Sequence, residues 1–135
     1  MREGTAANQV SQGITTVLVG PDGGGPWPIA DYFAKLDGKI AVNVGAFVGH
    51  ATVREQILKK DYMRKATADE IKQMAELVAQ GMKAGSFGLS SGLESDVGFS
   101  ATTYELLELA QAAGKYHGRH MTPHPNQKEG RHARP

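Results

Sequence analysis

Apolar positions along the chain alternate between a strand-like and a helix-like period, and each switch predicts an element. Ala6 to Gln12 reads as the last turns of a helix closed by Gly13. Ile14 to Val19 is β-branched and apolar on both faces, which predicts a strand buried on both sides, as in a parallel sheet. Ile29, Tyr32, Phe33 and Leu36 then recur at helical spacing behind Pro28, a residue suited to the first helical position, and Gly38 ends the run. Ile40 to Val48, interrupted by Gly45, predicts a second strand buried on both faces, followed by a short helix over Ala51 to Leu58 and a charged connection from Lys59 to Lys65.

The second half is punctuated more sharply. Thr67-Ala-Asp-Glu70 has the form of a capping box, in which the threonine hydroxyl accepts from the glutamate amide and the glutamate reaches back. Ile71, Met74, Ala75, Val78 and Met82 follow as an apolar stripe, and Gly85 is placed to end the helix in a left-handed conformation. Ser86 to Leu89 reads as a short third strand. Thr102-Thr-Tyr-Glu105 is a second capping box ahead of Leu106, Leu109, Ala110 and Ala113, with Gly118 ending that helix and Arg119 to Thr122 opening a fourth strand.

The order is β, α, β, α, α, β, α, β. Right-handed crossovers place such strands in one parallel sheet with helices outside. The fold class is therefore α/β. A complete (β/α)8 TIM barrel takes about 250 residues, so 135 residues supply about half of one. The predicted division is a partial barrel domain over 1–122 and an irregular tail over 123–135, where apolar periodicity stops.

Composition narrows the function. Hydrophobic residues make up 40% and the formal net charge is +1, which argues against disorder and against electrostatic capture of nucleic acid. No apolar run spans a membrane and no signal peptide is evident. Cysteine is absent, so there is no disulfide framework and no thiolate metal site. The expected location is the cytoplasm.

Candidate chemistry gathers where predicted strands end, because parallel α/β folds bind ligands beyond the carboxyl ends of their strands. Asp22 lies in Gly20-Pro-Asp-Gly-Gly-Gly-Pro26, just past the first strand. His50 follows the second. Glu94 and Asp96 lie in the glycine- and serine-rich loop after the third, where Gly88, Ser90, Ser91 and Gly92 allow close approach. The plain alternatives are solvated loop acids, and for His50 a structural hydrogen bond at the strand end. Trp27 either walls a pocket or packs under its loop. His117, His120, His124 and His132 crowd the C-terminal stretch, where an irregular tail gives no convergent metal geometry. The Gly-rich loop 20–25 also supports a different class of function, a non-catalytic module cradling a phosphate or nucleotide on backbone amides. It lacks the Lys-Ser or Lys-Thr of a P-loop.

Three segments carry a resemblance: Gln9-Val-Ser-Gln-Gly-Ile-Thr-Thr-Val-Leu-Val-Gly20, Val42-Asn-Val-Gly-Ala-Phe-Val-Gly-His50 and Gly85-Ser-Phe-Gly-Leu-Ser-Ser-Gly-Leu-Glu94. In this order, and with these helices between them, they resemble the N-acyl-D-amino-acid deacylases (D-aminoacylases) of the amidohydrolase superfamily. The resemblance runs from about Asn8 to Thr122. It implies a zinc hydrolase on a (β/α)8 barrel that cleaves the amide of a small-molecule N-acyl-D-amino acid, with zinc polarising the carbonyl and activating a water.

Carried over residue by residue, the resemblance implies less. Where the family has Gly-Asn-Cys-Gly with a metal-binding cysteine, this chain has Gly20-Pro21-Asp22-Gly23, which puts Asp22 in the ligand position. The family's His-x-His would precede Met1, and its later metal histidine and catalytic aspartate would follow Pro135. Ser95 stands where the family often has an aromatic. Family members continue the fourth strand with Thr-His-Ile-Arg, whereas Thr122 is followed here by Pro123 and His124. The codons of Thr-Pro-His-Pro can be read, after removal of one cytosine, as Thr-His-Ile-Arg, so a frameshift at Pro123 is expected, with a genuinely divergent tail as the alternative. The expected metal-side residues are Asp22 and His124 and the expected substrate-side residues His50 and Glu94. No catalytic residue remains, so the chain as written is expected to be inactive.

Overall fold

A computed structural model of the chain describes residues 6–92 and 96–122. Four strands, β1 (Thr16–Val19), β2 (Asn43–Gly49), β3 (Gly88–Ser90) and β4 (Arg119–Met121), form one sheet in the order β1-β2-β3-β4. Every neighbouring pair is parallel, with Thr16 opposite Asn43, Phe47 opposite Gly88 and Gly88 opposite Arg119. The helices between them are α2 (Ile29–Leu36), α3 (His50–Leu58), α4 (Ala68–Lys83) and α6 (Thr103–Gly114). Two short ones, α1 (Ala7–Val10) and α5 (Asp96–Phe99), complete the set, the latter not expected from the sequence. This is the α/β, all-parallel arrangement expected for part of a barrel. The proposed tail, 123–135, lies outside the described residues.

One core joins the sheet to the helices. Ala46, Val48 and Leu89 meet Ile71, Met74, Val78 and Met82 of α4, Leu109, Ala112 and Ala113 of α6, Val53 of α3 and Ile29 of α2. The α4 stripe is therefore buried as its spacing predicted. Thr67 caps this helix with both bonds of the box, and Gly85 adopts φ +94° after it. Trp27 packs against the same core.

Five expectations are corrected. β1 is not buried on both faces: its residues alternate exposed and half-buried, and Leu18 is 43% exposed. Among the described residues β1 has one sheet neighbour, so only Val19 packs against the core. β2 starts later than Ile40 and is enclosed only over its second half, where α3 and α4 cover it. Pro28 is the cap rather than the first residue of α2, and α6 ends at Gly114, with left-handed backbone at His117 before Gly118. The second capping box is half made. Thr102 Oγ accepts from the Glu105 amide at 3.1 Å, but the Glu105 carboxylate turns inward instead of reaching back.

Candidate active-site rim

The carboxyl ends of the strands form one rim, and the loop after β1 is fastened across it. The Gly23 amide donates to Ser90 Oγ at 3.2 Å, and that hydroxyl donates to the Gly20 carbonyl at 2.6 Å. The Ala51 amide donates to the Gly23 carbonyl at 2.9 Å, and the Gly25 amide to Thr52 Oγ1 at 3.0 Å. Gly92 is in contact with the Asp22 backbone, and a Cβ there would overlap the Asp22 carbonyl oxygen. The small residues of Gly88 to Gly92 thus allow the close approach that their sequence suggested. Gly23 and Gly25 have their amides engaged inside the protein, so those two donors are not offered to a phosphate.

Asp22 and His50 therefore lie at the same end of the parallel set, but they differ in setting. Asp22 is exposed. His50, the first residue of α3, is fully enclosed. Its Nε2 lies 2.8 Å from Glu105 Oε1, so the structural hydrogen bond weighed for it is present, though made to a carboxylate rather than to the strand end. Among the described residues its Nδ1 has no hydrogen-bond partner. Glu94 and His124 lie outside the described residues.

The structure adds Arg54, which sequence reasoning did not single out, and gives Glu105 and Ser91 partners that it did not assign. Arg54, one helical turn after His50, places Nη1 2.6 and 2.5 Å from the two oxygens of Glu105. It also donates from Nε to the Tyr62 carbonyl at 3.1 Å and from its second terminal nitrogen to the Arg64 carbonyl. Burial alone would raise the Glu105 pKa, but the hydrogen bonds from His50 and Arg54 outweigh it and hold the carboxyl below its ordinary value. Ser91, just past β3, lies 3.0 Å by Oγ from His120 Nε2. Desolvation lowers the His120 pKa and favours its neutral form. The signal for Arg54 was legible: it shares a helix face with His50, and a charged residue on an inward face implies a buried partner.

Among the described residues no three histidine, cysteine, aspartate or glutamate side chains converge on a common point. A catalytic zinc takes about three protein ligands, so these residues do not by themselves fit the metal. Two concavities among the described residues lie away from this rim. One opens between α2 and the start of β2, the other between α4 and α6. No described helix is long and apolar enough to cross a membrane.

Comparison with known proteins places this geometry. No family model matches the chain. It is 30% identical to a D-aminoacylase of Alcaligenes xylosoxydans xylosoxydans over 84% of its own length and 28% of that protein. It is 32% identical to an N-acyl-D-glutamate deacylase of the same organism, again over 84% of this chain and 28% of the other. A solved D-aminoacylase structure superposes with a TM-score of 0.75 at 30% identity, over 84% of this chain and 29% of that one. An N-acyl-D-glutamate deacylase from Bordetella bronchiseptica, solved with zinc and a phosphonate mimic of the tetrahedral intermediate, gives 0.76 at 32% identity, over 83% and 28%. The chain spans between a quarter and a third of the length of these relatives.

Proposed function

We propose, for a chain that belongs to the N-acyl-D-amino-acid deacylase family of the amidohydrolase superfamily, that it supplies part of a metal-dependent hydrolase barrel acting on the linear amide of a small N-acyl-D-amino acid. In that reading Asp22 and His124 stand on the metal side and His50 and Glu94 on the substrate side. The observation that carries it is the fastened rim. The loop bearing Asp22 is tied to the end of β3 and to the first turn of α3, which follows β2, on a sheet whose strands all run the same way. His50 serves this rim from beneath, since it is enclosed.

The same reading makes the chain inactive by itself. Two ligand candidates fall short of the about three protein ligands of a catalytic zinc, and Asp22 is a harder ligand than the thiolate it replaces. Without a general base matched to the reaction, a further 10²–10⁴-fold is typically lost. The test is to purify the chain, add zinc and assay free amine from a panel of N-acyl-D-amino acids. No zinc-dependent release is expected. Turnover at ordinary enzyme rates that Asp22→Ala abolishes would overturn the inactivity. A chimera with residues 6–122 in place of the matching segment of D-aminoacylase tests the barrel role. Folding into a metal-binding barrel supports it, and failure to assemble counts against it.

A further inference from the structure

Beneath the rim, Nδ1 of His50 is a buried polar atom without a hydrogen-bond partner among the described residues. His50 is fully enclosed, and a ring nitrogen left unbonded in such a place is costly unless a small donor reaches it. The state of the ring is set from the other side. An ionised carboxylate only accepts hydrogen bonds, so the 2.8 Å contact between His50 Nε2 and Glu105 Oε1 puts the proton on Nε2. Arg54 Nη1 touches both Glu105 oxygens, and this guanidinium beside the carboxylate keeps it ionised. Arg54 is itself fixed by the carbonyls of Tyr62 and Arg64.

We propose that Arg54 and Glu105 are positioning residues for His50: they lock its ring as the Nε2–H tautomer and hold Nδ1 as a bare acceptor for one donor of water size beneath the rim. The proposal rests on the reading of this rim as the reaction side and names the support behind it. The register points the same way. Gly49 pairs with Ser90, and Ser90 with Met121. His50 and Ser91 therefore follow at one level of the sheet, with His120 of the next strand bonded to Ser91. His120 pairs with Leu89, so it reaches Ser91 from two residues earlier in register, and Nδ1 of His50 is the one buried side-chain nitrogen or oxygen of these three residues without a partner among the described residues. A clamp between α3 and α6 needs only Arg54 and Glu105. It gives no reason for an imidazole on the same carboxylate.

The experiment is nitrogen NMR of the purified chain with ¹⁵N-labelled histidine, reading the tautomer of His50 through its ring couplings near pH 7. The wild-type chain is expected to show a single Nε2–H form. Glu105→Ala is expected to give a mixture of both tautomers, while Glu105→Gln, whose amide oxygen still accepts, largely keeps the original one. A merely structural role for Glu105 would lower stability without moving the tautomer. A wild-type ring protonated on Nδ1 would overturn the proposal, as would a folded Glu105→Ala chain with the ring unchanged. If no variant folds, the wild-type spectrum decides. Failure of the hydrolase reading shows in the zinc assay and the chimera instead, neither of which reads the tautomer.

Discussion

Arg54 of α3 and Glu105 of α6 meet with one guanidinium nitrogen 2.6 and 2.5 Å from the two carboxylate oxygens, and neither side chain reaches solvent. The pair ties α3 to α6 and, through the Tyr62 and Arg64 carbonyls, to the connection before α4. Removing one partner leaves the other charge buried and uncompensated. Arg54→Met alone and Glu105→Leu alone are each expected to cost about 3–5 kcal/mol. The double variant is expected to recover most of that loss, because two apolar chains need no compensation. Urea unfolding of the three variants checks it, and simple additivity of the single losses would contradict it.

Acid stability should carry the signature of the same carboxylate. The Glu105 pKa is lowered from its ordinary 4.5 against the upward push of burial, by hydrogen bonds from His50 and Arg54. A carboxyl depressed in the folded state contributes stability above its unfolded pKa and loses it as pH falls through the folded one. Melting temperatures should therefore decline below about pH 4.5, and Glu105→Gln should flatten that decline. Glu70 is held at about 2 by its hydrogen bonds to Arg64 and Thr67, but it lies on the surface. Its share should shrink in 1 M salt, where the Debye length is about 3 Å, while that of Glu105 persists.

The two threonine caps offer a matched comparison. Thr67 accepts from the Glu70 amide while Glu70 returns the bond to the Thr67 amide at 2.8 Å. Thr102 has only the forward bond. Thr67→Ala and Thr102→Ala should each cost about 1 kcal/mol. Replacing the Glu70 side chain should cost additional helix-start stability in α4, whereas Glu105→Gln should leave the start of α6 unfrayed. Amide exchange in the first turn of each helix distinguishes the two.

Gly88 of β3 lies directly opposite Arg119 of β4. A Cβ at this position would overlap the backbone of Arg119. Gly88→Ala should cost about 4 kcal/mol or more, at the severe end for single substitutions. It should also release the amides of Arg119 and Ser91, which now donate to Phe87 and Met121 carbonyls, to fast exchange. Gly24→Ala meets nothing within 4 Å and serves as the near-neutral control.

What the sequence determined by itself was local and periodic. The 3.6-residue stripe of α4, its capping box, the left-handed Gly85 and the β-before-α order all follow from backbone geometry and side-chain spacing. So does the placing of Asp22 and His50 after strands of one parallel set. Tertiary structure decided the choices between partners. Glu105 has the sequence of a capping-box residue, yet its carboxylate leaves the helix start for Arg54 and His50, 51 and 55 residues away. A return bond from one solvated amide, in which only the carboxylate is charged, cannot compete with a buried guanidinium, which brings the opposite charge and meets both carboxylate oxygens. β1 has the composition of a strand enclosed on both faces, yet Leu18 is exposed because burial depends on what the neighbours cover. Periodicity states which side of an element is apolar. Only the packed chain states what, if anything, lies against it.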